Sequence, residues 1–495
     1  MRVVFVAAEC EPWAKTGGLG DVVDALARAL GRVPGVLDEP VEVFLPRYRS
    51  VPVRRDRDLE TVVVTVPDPS APAGAVEVAV RSLDAAGYRL RLVDHPPAFD
   101  RDGLYGDAAG DYPDNAWRFA LLARAALEAR RAERRPVDVV ALHDWHACPA
   151  VLLRDLAYAA DPVVGPAAVT LTLHNLAYHG WTPRERVPQL GLGADPPAGD
   201  AWGIDLLREG IRRAEAVNTV SPGYAREALR PEGGMGLDGD LRARGARFGG
   251  ILNGLDEELW DPATDAALAA PYDAADRAGK AACRADLCAR VGFDPADPAP
   301  ILGTIGRLDP QKGFDLVAAA APALARGSAR VVALGSGDPA LVAGMRAAAT
   351  AHPGRIAMVE RFDRDLARRI YAGADLFLMP SRFEPCGQGQ MIAMRYGTPP
   401  VARRTGGLAD TIVDLHEDPG NGTGFLFDAA TPDALRFACE RAIAVLRDPD
   451  RSRWDGLVRR AMAVDWAWER SSAPAYAAMF ARAIADRAAA RRATG

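Results

Sequence analysis

Lysine is almost absent from this chain: of 60 basic residues among 495, only Lys15, Lys280 and Lys312 carry an ammonium. Where arginine is written nearly everywhere, a lysine is expected chiefly where a compact charge on a flexible stem does what a planar guanidinium cannot. Lys15 and Lys312 stand in glycine-bearing loops, whereas Lys280 falls in a polar helical stretch and reads as a solvated side chain. A basic excess is also missing. The net charge of -6 excludes the broad cationic surface that neutralises nucleic-acid phosphates, so a small or uncharged partner is expected and no nucleic acid. No apolar run approaches the roughly 18 residues that cross a bilayer, which argues against a membrane partner. The start, Met1-Arg2-Val3-Val4-Phe5-Val6, lacks the apolar core and small-residue cleavage site of a signal peptide, so the expected location is cytoplasmic. Cys10, Cys148, Cys283, Cys288, Cys386 and Cys439 are scattered without a Cys-x-x-Cys pair, the pattern of buried thiols in a reducing compartment. The Gly-x-Gly-x-x-Gly fingerprint of dinucleotide binders is lacking too, which disfavours a dehydrogenase.

What the chain does contain is material for two or three domains at roughly 150 residues each. Short β-branched runs alternate with helical periodicity, the signature of βαβ units and parallel sheets. Strands are expected at 3–7, 41–45, 137–142, 169–173 and 216–220, then at 301–305, 331–334, 356–359 and 376–379. A first helix is expected over 21–30, with Val22, Val23, Leu26 and Leu30 on one face. The glycine-rich stretch 233–240 and the segment Gly249-Gly250-Ile251-Leu252-Asn253-Gly254 mark the boundary. The expected fold class is therefore α/β, with two Rossmann-like, doubly wound domains facing across a cleft, where such sheets bind ligands beyond the carboxyl ends of their strands.

Four loops follow strands and carry chemistry. In Lys15-Thr16-Gly17-Gly18-Leu19-Gly20-Asp21, glycines before a helix allow backbone amides to approach an anion. In Gly306-Arg307-Leu308-Asp309-Pro310-Gln311-Lys312-Gly313, a guanidinium fork and a point charge can converge on one dianion. Pro380-Ser381-Arg382-Phe383-Glu384-Pro385-Cys386-Gly387 sets a carboxylate at a strand end, suited to sugar hydroxyls, and Thr405-Gly406-Gly407 makes a second anion-friendly turn. Together they outline a nucleotide-sugar pocket. His143 and His146 have an i, i+3 spacing that could suit a metal, but no third ligand is apparent.

These loops, with His143-Asp144-Trp145-His146, Leu173-His174-Asn175-Leu176-Ala177-Tyr178 and Asn253-Gly254-Leu255-Asp256, resemble the bacterial glycogen synthase and plant starch synthase family in order from residue 3 to about 470. The resemblance implies glycosyltransferase-B architecture, no cofactor, and retaining transfer of glucose from ADP-glucose to the non-reducing 4-hydroxyl of an α-1,4-glucan. It also implies a first domain of residues 1–248 on the glucan side, joined by a terminal helix 472–495, and a donor domain of residues 249–471.

By the same resemblance, Arg307 and Lys312 clamp the donor diphosphate, Glu384 is the essential carboxylate beside the donor glucose, and His174 lies near the transferred sugar. Lys15, Gly17 and Gly18, with Asp21 nearby, match the loop over the phosphates. Asn253 contacts the sugar, Phe362 stacks on adenine, and Gly387, Gln388, Gly389, Thr405 and Gly406 complete the donor side. Asp144 and Trp145 fall to the acceptor, with no metal. Two departures stand out. Ile392 occupies the position eight after Glu384 where related enzymes carry a second carboxylate, and Gln388-Gly389 replaces the usual Leu-Thr, so restoring Leu-Thr is expected to lower the donor KM. The competing readings are a UDP-glucose donor, glucose 1-phosphate as a small acceptor, or a catalytically silent sugar-nucleotide- or glucan-binding regulator.

Overall fold

The computed structural model describes every residue except 54–58, 69–70, 108, 193–197, 328 and 495. Residue 495, the last of the expected terminal helix, thus lies outside the described residues. Two compact units are present, one of Met1–Gly254 with Trp468–Gly495 and one of Leu255–Ala467. Residues 249–254, which the sequence reading gives to the second domain, belong to the first unit. The reason is strand pairing: Phe248–Gly250 lies parallel to Ala216–Thr219.

In the first unit the strands are β1 (Val3–Val6), β2 (Glu42–Pro46), β3 (Thr61–Pro67), β4 (Ala75–Ala85), β5 (Tyr88–Asp94), a small pair β6 (Gly106–Asp107) and β7 (Gly110–Asp111), β8 (Val139–His143), β9 (Ala168–Leu173), a second pair β10 (Trp181–Pro183) and β11 (Gly203–Asp205), then β12 (Ala216–Thr219) and β13 (Phe248–Gly250). The main sheet runs β13-β12-β9-β8-β1-β2-β5-β4-β3. It is parallel except at β5-β4-β3, an antiparallel edge. Every residue of β1, β2, β8 and β9 is buried, as continuous apolar runs in a sheet covered on both faces require. Strand order reverses between β1 and β8, so the loops after those two strands open at the switch point where such sheets bind ligands.

The terminal helix Ser472–Thr494 belongs to this unit and buries Tyr476, Met479, Phe480 and Ala483 in its core. Asn218 Nδ2 donates to the Tyr476 hydroxyl at 3.1 Å, and Arg247 meets Asp486 at 3.1 Å. No helix among the described residues is long and apolar enough to cross a membrane.

The second unit has β14 (Ile301–Ile305), β15 (Arg330–Leu334), β16 (Ile356–Val359), β17 (Leu376–Met379), β18 (Pro400–Arg403) and β19 (Phe425–Phe427), ordered β16-β15-β14-β17-β18-β19. All pairs are parallel. Here the switch lies between β14 and β17, whose following loops are 306–313 and 380–388.

Lys280 corrects the sequence reading. It is half-buried and hydrogen-bonded, not a free solvated side chain. Its Nζ donates to Ala372 O at 2.8 Å, Tyr396 O at 3.0 Å and Thr398 Oγ1 at 2.8 Å, over the Tyr272 ring at 5.7 Å. It thereby joins helix Gly279–Val291 to carbonyls at the ends of Arg364–Gly373 and Gly389–Arg395, groups that helices leave unsatisfied. Burial pushes its pKa down to about 7.

Candidate active site

The loop after β1 holds an anion of its own. Glu9 is buried, and its carboxylate accepts from Thr16 N at 2.7 Å, Gly17 N at 3.0 Å, Thr16 Oγ1 at 2.8 Å and the Tyr105 hydroxyl at 2.6 Å. The Gly17 amide expected to face a phosphate is therefore engaged by Glu9. Helix Gly18–Arg32 begins three residues before the expected start, so Gly18 opens its first turn, at the end favourable to anions. Lys15 Nζ meets Asp21 Oδ1 at 2.5 Å; burial raises the Asp21 pKa, and Lys15 opposes that rise.

At the end of β8 the backbone is unusual. Asp144 takes φ 58° and ψ −176°, a region costly for a residue with a side chain. Its carboxylate accepts the backbone N–H of His174 at 2.7 Å and of Asn175 at 3.4 Å, holding the loop after β9. Burial raises its pKa to about 7 against those two bonds. Asp144 thus uses one carboxylate oxygen to hold the loop that carries His174. Trp145 is buried as well, stacked on His146 at 4.1 Å and edge-on to Phe119 at 5.4 Å.

His143 Nδ1 lies 3.0 Å from His174 Nε2. Burial pushes His143 down to about 3, and burial with His143 lowers His174, so both rings are neutral at pH 7 and one must donate to the other. That bond orients His174 and leaves its Nδ1 without a partner among the described residues. His146 turns instead into an aromatic cluster with Trp145, Tyr105 and Phe119. The two histidines of the i, i+3 pair therefore diverge. Asn253 is also buried in this unit, with Oδ1 lacking a donor.

In the second unit the loops after β14 and β17 are stitched together. Arg382 N donates to Gln311 O at 2.7 Å and Gln311 Nε2 to Phe383 O at 3.1 Å. Gly313 is required here, since a Cβ would sit 2.3 Å from Pro380 O. The result is an ion pair: Lys312 Nζ lies 2.7 and 3.0 Å from the two oxygens of buried Glu384, which also accepts from Ser381 Oγ at 3.0 Å. Arg307 does not converge with Lys312 on one group; it is 58% exposed and nears Asp309 at 3.5 Å.

Thr405, Gly406 and Gly407 pack on this carboxylate loop, where Gly407 N donates to Glu384 O at 2.9 Å. Gly387 has φ 75°, and Gln388 precedes helix Gly389–Arg395. Gln390 is fully buried, with Nε2 donating to Cys386 O and Gly387 O at 3.0 Å each and to Thr411 Oγ1 at 3.1 Å. Phe362, after β16, is 80% exposed. Among the described residues no three His, Cys, Asp or Glu side chains gather as a metal site.

Two family models match the chain. One described as the starch synthase catalytic domain covers residues 2–243, and one described as glycosyl transferases group 1 covers residues 299–444. A glycogen synthase of Anaeromyxobacter dehalogenans strain 2CP-C is 46% identical over 478 residues, spanning 96% of this chain and 98% of that protein. The chain belongs to the glycogen and starch synthase family. Another family member, a glycogen synthase of Syntrophotalea carbinolica, is 40% identical over 500 residues, with 98% and 99% of the two chains covered. The catalytic domain of Arabidopsis thaliana starch synthase IV, solved with ADP and acarbose, superposes with a TM-score of 0.88 at 32% identity, over 98% of this chain and 99% of that one. A sucrose-phosphate synthase of Thermosynechococcus elongatus shares the fold at a TM-score of 0.60 and 17% identity.

Membership in the glycogen and starch synthase family makes the chain a hexosyltransferase of glycosyltransferase-B type. Glu9, Tyr105, His143 and Ser381 are the site residues that sequence reasoning missed. Each acts by contacting a motif residue; the 143–146 motif and the 380–387 loop had placed two of them, His143 and Ser381, in view without these roles.

Proposed function

We propose that the chain transfers glucose with retention from ADP-glucose to the non-reducing 4-hydroxyl of an α-1,4-glucan, with the donor on the second unit and the acceptor on the first. The observation that carries this reading is the buried Glu384 carboxylate at the end of β17, held by Lys312 and Ser381. A carboxylate so fixed can orient glucose hydroxyls and stabilise positive charge on the ring as the C1–O bond breaks. Charge then accumulates on the departing diphosphate. Lys312 and Arg307 favour that state over the ground state, which is what accelerates the step. Ile392 is buried in helix Gly389–Arg395 and supplies no base, so the departing phosphate takes the acceptor proton in a front-face displacement. His174, held neutral by burial and by His143, donates or accepts at the sugar without adding charge.

Exposed Phe362 suits stacking on adenine, and Asn253 supplies a polar group that awaits a partner. Six free, buried cysteines accord with a cytoplasmic setting. The test is nucleotide release from ADP-glucose and from UDP-glucose, each with and without glycogen or glucose 1-phosphate. Glycogen-dependent ADP release is expected, abolished in Glu384→Gln while ADP binding by calorimetry persists. No release from any donor would refute the reading, and equal loss of ADP binding would refute the role of Glu384.

A further inference from the structure

The first unit contains a cavity of about 790 Å³, within the size range of small-molecule sites. Its walls are the last turn of helix Gly18–Arg32, the segment 37–42 that leads into β2, the turn between β4 and β5, and Arg135 ahead of β8. These segments stand at the amino ends of β2, β5 and β8. The loops of the candidate active site follow β1 and β8 at their carboxyl ends, so the cavity opens at the other edge of the sheet.

Two glycines let the helix and the turn meet. A Cβ at Gly31 would lie 3.3 Å from Gly87 O, and one at Gly87, where φ is 92°, 3.3 Å from Arg28 Cγ. The contact sets Arg28 and Arg32, one helical turn apart, beside the start of β5 that carries Arg89. Three guanidinium groups thus border one cavity.

The charges of the wall differ in how firmly they are held. Buried Glu42 accepts from Arg135 Nη1 at 2.9 Å and lies 2.8 Å from Arg130 Nη1, and Glu39 pairs with the same two arginines. That network closes on itself. Arg28 is fixed by Asp24 at 2.6 and 3.0 Å. Arg32 and Arg89 are paired at the surface instead. Arg32, itself half exposed, meets Glu469 at 2.9 Å, and Arg89 meets Glu60, a residue 64% exposed. Ion pairs in contact with water hold weakly, so a better anion can take either arginine from its partner. Arg89 is also incompletely satisfied where it stands, since its buried Nε lacks an acceptor among the described residues. Asp38 and Asp84 add exposed carboxylates to the same wall.

Guanidinium forks match phosphate oxygens, and carboxylates accept from hydroxyl groups. The aromatic residue of the wall, Tyr88, is buried and its hydroxyl accepts from Trp13 Nε1 at 3.0 Å, so its ring is not offered to a nucleobase. We propose that this cavity binds a small phosphorylated polyol of the sugar phosphate class, its phosphate on Arg32 and Arg89 beside Arg28 and its hydroxyls on Asp38 and Asp84. The site is separate from those for donor and acceptor. Binding is measured without turnover, so the proposal stands apart from the transferase reading.

The experiment is calorimetric titration of the full chain with ribose 5-phosphate, ribose, inorganic phosphate and AMP, repeated in saturating ADP, for wild type, Arg32→Gln, Arg89→Gln and the double variant. Ribose 5-phosphate should bind about tenfold more tightly than inorganic phosphate or AMP, with or without ADP, and ribose should not bind. The double variant should lose about tenfold in that affinity while its affinity for ADP is unchanged. Undiminished binding by the double variant would overturn the proposal. Displacement by ADP would overturn it too, by placing the ligand on the donor loops. Equal binding of inorganic phosphate would refute the polyol assignment, and tighter binding of AMP the exclusion of a base. Arg32→Gln alone, at a half-exposed position, keeps the test available if the double variant misfolds. A wild type that binds no ADP would count against the transferase reading and leave the arginine variants to judge the cavity.

Discussion

Replacing Lys280 by methionine retains the length of the stem and deletes the ammonium that joins three segments of the second unit. Two opposing effects follow. Three oxygens, on Ala372, Tyr396 and Thr398, lose a donor, while the cost of keeping a charge away from water disappears. Asp375 and Cys283 favour the charged form, Arg277 and Arg284 oppose it, and burial outweighs all of them. A fall from 10.5 to about 7 corresponds to about 5 kcal/mol against the charged form. The unfolded chain retains its proton to near pH 10.4, so between pH 7 and pH 10 the unfolded state binds more protons and the wild type gains stability as pH rises. Lys280→Met has no such gain. Between pH 7 and pH 9 the stability of the wild type relative to Lys280→Met should rise by about 2 kcal/mol, or about 4–8 °C in melting temperature for a unit of this size. Parallel thermal melts at the two pH values measure it. A difference that stays constant would refute the claim that this lysine is half-buried and half-titrated near neutrality.

Three further outcomes are expected. Lys312→Arg retains the charge but cannot place it at 2.7 and 3.0 Å from both Glu384 oxygens, and should lose on the order of 10²-fold in turnover, about 2.7 kcal/mol; steady-state kinetics near wild type would show that net charge alone suffices. Gly389→Thr, which the family pattern suggests as an improvement, should instead lower stability by about 1–3 kcal/mol, because a Cβ there lies 3.1 Å from Cε1 of the fully buried Phe377 ring. An unchanged unfolding midpoint with a lower donor KM would restore the sequence expectation. For Asp144, the pKa raised to about 7 means that the folded state binds the extra proton, so the wild type should lose stability relative to Asp144→Asn as pH rises from about 4 to 7. Urea midpoints that run parallel over that range would show the carboxylate to be solvated.

Both switch-point loops and most strands were legible because apolar runs bounded by glycine are local signals. The sequence reading placed no strand between residues 46 and 137, where β3, β4 and β5 form the antiparallel edge; β3 carries the run Val62-Val63-Val64 but as an edge strand leaves alternate residues exposed. Within the site, the motif residues were legible and their partners were not. Tyr105 reaches Glu9 across 96 positions and Lys312 reaches Glu384 across 72, separations that no periodicity encodes. The hold of Asp144 on the loop of His174 follows from one backbone angle, and the partial burial of Lys280 from helix ends 92 and 116 residues away. Composition did signal that lysine was special, but not that one of the three would be a structural pin.

That scarcity gives the protein a built-in set of chemical reporters. Apart from the α-amino group, amine-selective reagents find only three targets, and the fold has sorted them by accessibility. Lys15 and Lys312 keep 30% and 25% of their side chains in contact with solvent. Both stand on loops proposed to bind the donor phosphates, so their protection against acylation by ADP is the outcome expected of that proposal. Lys280 is half-buried and its Nζ is engaged by three oxygens, so its labelling should rise when the second unit opens. One pulse of reagent, read by peptide mass, thereby separates ligand binding from loss of structure in the same sample.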